Sequence, residues 1–185
     1  MTKPGFPETT LETKRLVLRA YEEADIPDVR KACRDPLTQR WIAMPDPYTE
    51  EVARHWCLSE SHEPRLNGEG LNFVAVPREG GRIVGGFGVS HTHWQDRVAE
   101  VGYWVAPWAR GRGYAPEAVG GIARWLFETH GFMRLQLRAA PDNHPSTRVA
   151  DKCGFVREGV QRSAGVIHGG RTDLVVYGLL PEDLR

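Results

Sequence analysis

The 185-residue sequence carries no excess of charge of either sign, because 24 lysine and arginine residues are matched by 24 aspartate and glutamate residues. Such a chain lacks the long-range field that draws a protein to nucleic acid or to an anionic membrane, so any basic site must be local. It also lacks a continuous apolar run long enough to span a membrane, and its first residues lack the apolar stretch of a signal peptide. We therefore expect a cytoplasmic protein with no nucleic acid or membrane partner.

Cysteine is scarce as well: Cys33, Cys57 and Cys153 form no CxxC pair, and their odd number does not suit a disulfide framework. Reduced thiols are expected. His91 and His93 share one face of a predicted strand, but no third ligand lies near them in the sequence, whereas structural zinc takes four ligands. We expect no metal site.

The most informative segment runs from Val105 to Glu117, where an apolar strand enters a glycine-bearing turn that opens a helix. Glycine lets the backbone approach an anion closely, and the N–H groups and dipole at a helix start attract it. Two arginines add positive charge. The pattern predicts a diphosphate-binding turn made of Arg110, Gly111, Arg112, Gly113, Tyr114 and Ala115.

Three other interpretations of this turn fit poorly. A P-loop needs Lys followed by Ser or Thr after the last glycine, and neither follows Gly113. The dinucleotide fingerprint needs a third glycine or alanine where the chain has Pro116. An RNA-binding Arg-Gly segment is expected to repeat and to be disordered, but here the pattern occurs once, between an apolar strand and an amphipathic helix.

Several short motifs follow one another in a specific order. They are Arg110-x-x-Gly113-x-Ala115, Asn143-x-x-Ser146, Gly154-Phe155 and Glu158-Gly159. This order and spacing resemble the GCN5-related N-acetyltransferase (GNAT) superfamily, and within it the bacterial ribosomal-protein N-terminal alanine and serine acetyltransferases. The resemblance extends from about Leu11 to Leu180, and we expect one domain over residues 1–185 with a core at about 11–180.

Hydrophobic periodicity predicts an α/β (α+β) fold with a mixed sheet of about seven strands and flanking helices. The predicted strands lie near residues 16–20, 71–76, 82–94, 98–105, 133–139, 155–161 and 173–180. Helices are predicted at 22–32, from Thr49, after Gly113 and at 146–152. The first eight residues and a loop at 63–70 are the segments expected to be disordered. The resemblance adds a V-shaped splay between the fourth and fifth strands, where acyl-CoA threads.

The resemblance also implies an activity, the transfer of an acetyl group from acetyl-CoA, a cosubstrate, to a primary amine by direct attack in a ternary complex. The amine belongs to a protein N-terminus or to a small molecule. Trp104, Val105 and Ala106 are expected to pair with the pantetheine arm, with the Val105 N–H facing the thioester oxygen, and Asn143 is expected to bond the pantetheine amide. The alternative is a non-catalytic acyl-CoA-binding regulatory module. The resembled branch often forms homodimers.

Two residues are candidates for proton transfer. An alkyl ammonium must lose a proton before it can attack, and Glu100 is the candidate base. The alternative for Glu100 is a surface carboxylate paired with Arg97 or another cation. Ser146 is expected to contact the cofactor and is a candidate acid for the departing sulfur, although it also suits the N-cap of the following helix. The aromatic residues Trp41, Tyr103 and Trp108 are interpreted as core, the alternative being that they wall the acceptor pocket.

Overall fold

An eight-stranded sheet forms the centre of the computed structural model, which describes residues 4–167 and 170–185. The strand order is β1-β2-β3-β4-β5-β6-β8-β7, and only the β5–β6 pair is parallel within this sheet. The strands are β1 (Leu11–Glu12), β2 (Leu16–Arg19), β3 (Leu71–Pro77), β4 (Gly85–His93), β5 (Val98–Val105), β6 (Arg134–Ala139), β7 (Val156–Ile167) and β8 (Gly170–Leu179).

Helices cover both faces of the sheet. They are α1 (Ile26–Cys33), α2 (Pro36–Trp41), α3 (Glu50–His55), α4 (Glu63–Asn67), α5 (Tyr114–His130) and α6 (His144–Cys153), with short 3-10 turns at Glu23–Asp25, Pro107–Ala109 and Pro181–Asp183 and a π-helical turn at Trp56–Glu60. The mixed α/β architecture predicted from the sequence is confirmed. The eighth strand is β1, whose two residues are too few for an alternating pattern to reveal.

The splay between the fourth and fifth predicted strands is present as a divergence of β5 from β6. These strands pair only where Val98, Ala99 and Glu100 face Arg134, Leu135 and Gln136. Beyond Glu100, β5 continues along β4 as far as Val105, while β6 continues along β8. One edge of β5, from Val101 to Val105, therefore has no neighbouring strand within residues 4–167 and 170–185.

Two apolar clusters hold the layers together. Helix α5 buries Ala118, Ile122 and Leu126 in the larger cluster, as its amphipathic pattern predicts. On the other face, α1 and α3 cover β3 through a smaller cluster that includes Val29 and Val74. The face of β5 and β6 next to α2 is left partly open to solvent, as the half-buried side chains of Trp104 and Arg138 indicate.

Two expectations of disorder were wrong. Residues 63–67 form α4, which ends at Gly68 in the left-handed conformation, with a proline at its start. Phe6, among the first eight residues, is buried with its ring 4.7 Å from that of Trp94 and 5.4 Å from that of Trp125. A short helix and a single anchoring aromatic leave little periodicity in the sequence, so neither was recognisable there. Residues 1–3 lie outside the described residues.

Candidate active site

The open edge of β5 presents backbone groups to the cleft between β5 and β6. The Ala106 N–H donates to the Val84 carbonyl at 2.8 Å, so the even-numbered residues of this segment direct their backbone groups toward β4. Alternation then turns the N–H groups of Val101, Tyr103 and Val105 toward the cleft. This agrees with the orientation expected for Val105.

Of the three residues expected to pair with the pantetheine arm, Ala106 is not brought to the cleft. It is fully buried, its N–H is bonded to Val84, and its carbonyl accepts from the Ala109 N–H at 2.8 Å. Trp104 lines the cleft, while strand alternation turns its backbone toward β4. Val105 thus presents a backbone N–H to the cleft, and Trp104 lines the cleft with its side chain.

The predicted diphosphate turn has the geometry of an anion site. Gly111 and Gly113 have φ values of 76° and 74°, which L-residues with side chains adopt at a cost of about 1–2 kcal/mol. Gly113 is the N-cap of α5 and has no side chain to bond the first N–H groups of the helix, whereas Asp35, Thr49 and Asn143 cap α2, α3 and α6. The first amides of α5 are therefore left for a ligand.

Arg15, which is not among the predicted site residues, supports the turn from behind. Its Nη1 donates to the Arg112 carbonyl at 3.0 Å and its Nη2 to the Gly113 carbonyl at 3.2 Å. In a trans peptide the N–H points opposite to the carbonyl, so the N–H groups of Gly113 and Tyr114 are turned away from Arg15. The two partners lie almost 100 residues from Arg15, and no local pattern predicts the contact.

Glu117, in the first turn of α5, fixes this arrangement. It accepts hydrogen bonds from the Thr13 hydroxyl at 2.7 Å and from the Arg15 backbone N–H and Nε at 2.6 Å each. Burial disfavours the charged carboxylate, but these hydrogen bonds and the charge of Arg15 outweigh it, so the pKa of Glu117 lies below its usual value. The start of α5 is therefore attached to the N-terminal segment by an ionised side chain.

A cavity of about 610 Å³ joins the turn to the open edge of β5. Its other walls are α6, the side of α2 that carries Leu37 and Trp41, and the β7–β8 hairpin at Ile167 and Leu174. Trp41, interpreted from the sequence as core, is thus part of the cleft. The charged residues that line the cavity are all basic, within the described parts of the chain: Arg110, Arg138, Arg148 and Lys152.

The two arginines of the turn, which the sequence predicts as phosphate charges, have different surroundings. Arg110 lines the cavity, and its Nη2 donates to Asp35 at 2.6 Å and to the Thr38 hydroxyl at 2.8 Å. Arg112 is exposed, and its side chain is not part of the cavity wall. Arg148 and Lys152 on α6 bring two further cationic side chains to the cavity. Sequence reasoning overlooked them, although both lie just after the Asn143-x-x-Ser146 motif.

Ser146 and Tyr103 form a hydroxyl pair at the cleft, with 2.9 Å between their oxygens. Asn143, not Ser146, caps α6, because its Oδ1 accepts the Ser146 N–H at 3.4 Å. The Ser146 hydroxyl is therefore available to the cleft. Burial raises the pKa of Tyr103, so its phenol keeps its proton at ordinary pH. Tyr103 was interpreted as core, and only the fold brings it to Ser146.

Glu100 lies beside the cleft and not in its wall. Its Oε2 accepts from Arg138 Nε at 2.8 Å and from Gln136 Nε2 at 3.2 Å, and His91 Nδ1 is 3.9 Å away. Its ion-pair partner is Arg138 and not Arg97, which donates to the His130 carbonyl. Glu100 is mostly buried, with 16% of its side chain exposed, and it directly precedes the first cavity-lining residue of β5.

No group of three or more His, Cys, Asp or Glu side chains within residues 4–167 and 170–185 is arranged to hold a metal ion. Every helix in the described part of the chain is too short or too polar to cross a bilayer.

An open strand edge that leads to an amide-lined turn defines a site for a long ligand with a diphosphate at one end. Comparison with known proteins agrees: residues 15–156 match the family described as Acetyltransferase (GNAT) domain. The chain belongs to this family and is an acetyl-CoA-dependent N-acetyltransferase.

Individual relatives extend the similarity to most of the chain. The protein is 25% identical over 174 residues to the uncharacterized N-acetyltransferase p20 of Bacillus licheniformis, covering 94% of this chain and 97% of that protein. It is 26% identical over 82 residues to the ribosomal-protein-serine acetyltransferase of Escherichia coli (strain K12), covering 44% of this chain and 46% of that protein. The structure of Mycobacterium smegmatis RimJ in complex with CoA-disulfide has the same fold, with a TM-score of 0.86 at 24% identity, covering 99% of this chain and 92% of that chain.

Glu117 leads to a prediction about pH. Because its pKa is lowered in the folded protein, its contribution to stability is complete above the ordinary glutamate value and is lost as the pH falls through the lowered one. We expect Glu117→Gln to reduce the difference in unfolding free energy between about pH 7 and about pH 3, measured by urea titration. Glu128→Gln, on the exposed side of α5, should keep the wild-type difference. An unchanged difference in Glu117→Gln would contradict the assignment.

Proposed function

We propose that the protein transfers the acetyl group of acetyl-CoA to the α-amine of a polypeptide N-terminus, by direct attack in a ternary complex. The observation that carries the proposal is the single cavity that connects the amide-lined turn, the open edge of β5 and the Tyr103–Ser146 hydroxyl pair. These features supply in one place a held diphosphate, a track for an extended arm and a hydroxyl proton donor.

The cosubstrate fits the residues present. The N–H groups of the turn from Gly111 to Ala115 meet the diphosphate, with charge from Arg148 and Lys152. The pantetheine arm lies along β5 as an added strand and uses the backbone groups that Val101, Tyr103 and Val105 direct to the cleft. Asn143 contributes its side-chain NH₂ group to the pantetheine amide, because its oxygen already caps α6. One of the three β5 N–H groups, in the first instance that of Val105, meets the thioester oxygen and stabilises its developing charge.

The Tyr103–Ser146 hydroxyl pair supplies the proton that the departing CoA thiolate takes up. As the amine nitrogen bonds to the acetyl carbon, the carbon–sulfur bond breaks and the electron pair stays on sulfur. Ser146 donates its proton to the thiolate, or hydrogen-bonds to it, and Tyr103 supplies the proton that Ser146 gives up. Burial raises the pKa of Tyr103, so its phenol still carries the proton when the thiolate forms.

Glu100 accepts the proton that the amine loses. Arg138 and Gln136 orient its carboxylate, and since the side chain is not in the cavity wall, the proton reaches it through water. None of the three cysteines is suited to act as the nucleophile that would form a covalent acetyl-enzyme. Burial raises the pKa of Cys153 to about 11 and those of Cys33 and Cys57 to about 12, so all three remain thiols.

The acceptor class follows from the charges of the cavity. A polyamine or an aminoglycoside carries several positive charges and needs carboxylates around it, whereas the charged residues in the described cavity wall are basic. A chain N-terminus brings one amine and a small first side chain, which the apolar wall of Leu37, Trp41 and Leu174 can accept. The E. coli relative, named for ribosomal-protein-serine acetylation, belongs to this acceptor class.

A substrate screen tests the proposal. We expect acetyl-CoA to be converted to free thiol, with acetylated product detected by mass spectrometry, when peptides with a free N-terminal alanine or serine are supplied. The same peptides blocked at the N-terminus, spermidine and kanamycin should release thiol at no more than the rate without acceptor. Thermal stabilisation by CoA without product from any amine would indicate the non-catalytic module instead.

The hydroxyl pair leads to a kinetic prediction. We expect Ser146→Ala to lower kcat by about 10- to 100-fold, because an acid contributes most when the leaving group is poor and a thiolate is a moderate one. Tyr103→Phe should have a smaller effect, since it removes only the second donor. The KM for acetyl-CoA should change less than kcat in both variants. An unchanged kcat in Ser146→Ala would remove the serine from the chemical step.

Glu100 is tested through the pH profile. We expect Glu100→Gln to bind CoA normally in calorimetry and to lower kcat by about 100-fold or more, with loss of the acidic limb of the pH–rate profile. Arg138→Gln is the informative companion, because it leaves the carboxylate in place and removes the group that orients it. A wild-type profile in Glu100→Gln would show that another group or bulk water takes the proton.

A further inference from the structure

The side chain of Arg110, the first residue of the acetyltransferase motif, points toward α2. Its Nη2 donates to Asp35 Oδ2 at 2.6 Å and to the Thr38 hydroxyl at 2.8 Å, while its Nε donates to the Val105 carbonyl at 3.3 Å. One guanidinium therefore joins the end of β5, the diphosphate turn and the start of α2.

Asp35 is the N-cap of α2, and its Oδ2 also accepts the Thr38 N–H at 2.9 Å. The same oxygen thus holds the first turn of the helix and receives Arg110. Helix α2 has only six residues, and so short a helix depends on tertiary contacts for its position. It carries Leu37 and Trp41, which form the wall of the cavity where we place the acceptor.

The charge of Arg110 is balanced within the protein. Burial disfavours the ionised form of Asp35, but hydrogen bonds from Arg110 and Thr38 outweigh it, so the pKa of Asp35 is lowered and the carboxylate stays charged. With this ion pair formed at 2.6 Å, Arg110 has less charge to offer a phosphate than Arg148 or Lys152.

We propose that Arg110 is a positioning residue for the acceptor side of the reaction and not a phosphate-binding residue. By holding α2 and the Val105 carbonyl together, it sets the distance between the acceptor wall and the strand edge that carries the thioester. The part of this inference that concerns acceptor binding rests on the proposed function. The part that concerns α2 rests on the three hydrogen bonds alone.

The first test separates the two substrates kinetically. We expect Arg110→Ala and Asp35→Asn to leave the Kd for CoA, measured by calorimetry, within roughly threefold of wild type, and to raise the KM for the best alanyl or seryl peptide of the screen by about tenfold. Arg112→Ala is the matched control, since it removes the same charge from the same turn. It should weaken CoA binding by a few-fold, because one positive charge near the turn is lost, and it should leave the peptide KM unchanged. In Arg110→Lys the peptide KM should lie between those of the wild type and Arg110→Ala, because an ammonium cannot reproduce three directed hydrogen bonds.

The second test needs no acceptor. The Gln39 N–H is bonded to the Asp35 carbonyl at 3.0 Å and the Ile42 N–H to the Thr38 carbonyl at 3.2 Å, so their hydrogen exchange reports on α2. We expect exchange at both amides to accelerate about tenfold in Arg110→Ala and Asp35→Asn, and to stay at the wild-type rate in Arg112→Ala. If Arg110→Ala weakens CoA binding by about tenfold or more and leaves α2 exchange unchanged, Arg110 is a phosphate ligand and the proposal is wrong. If the screen finds no acceptor, the proposed function fails, while the CoA affinity and the exchange rates still decide the role of Arg110.

Discussion

The site depends on one constraint: β6 leaves β5 after three paired residues, so the edge of β5 from Val101 to Val105 has no partner strand. Inside a sheet that edge would be covered. Here it is a row of oriented backbone groups along a cavity, and a ligand that can act as a strand takes the place of the missing neighbour. The diphosphate turn continues directly from the same strand, which aligns the arm and the phosphates of one molecule along one path.

Support for this path comes from segments far away in the sequence. Arg15 holds the carbonyls of the turn, Glu117 holds Arg15, and Arg110 holds α2. Each is an ion pair or a charge-assisted hydrogen bond, and the carboxylate partner is the more buried member of the two ion pairs. Arg15 and Arg110 thus order the protein's own backbone, which leaves the turn amides with Arg148 and Lys152 for the proposed diphosphate.

The acid and base candidates lie on opposite faces of β5, a consequence of strand alternation. Tyr103 points to the α6 face, where Ser146 is, and Glu100 points to the face shared with Arg138. Substrates that meet at the edge between these faces would release protons to one side and receive them from the other. Residues separated by an odd number of positions on a strand lie on opposite faces. Glu100 and Tyr103, three positions apart on β5, can therefore act on opposite sides of the reacting groups.

Prediction from the sequence worked best where local chemistry is strict. The structure contains the seven longer strands, the helix that follows Gly113, the cap at Thr49 and the splay implied by the family resemblance. It worked less well where a residue has more than one good partner. Arg110 was expected at a phosphate and is bonded to Asp35, and Tyr103 and Trp41 were expected in the core and line the cavity. The β1 strand and α4 are too short for their periodicity to stand out.

The sequence by itself determined the turn, since glycine adopts the positive φ at residues 111 and 113 at the least cost and an uncapped helix start is visible in the order of residues. It also determined the family, through the order and spacing of several short motifs. Only the tertiary structure decided which side chains face the cavity and which are bonded to other parts of the protein. Such pairings depend on distances between segments 30 to 100 residues apart, and a charge or hydroxyl in a sequence carries no information about which distant partner the fold will bring to it.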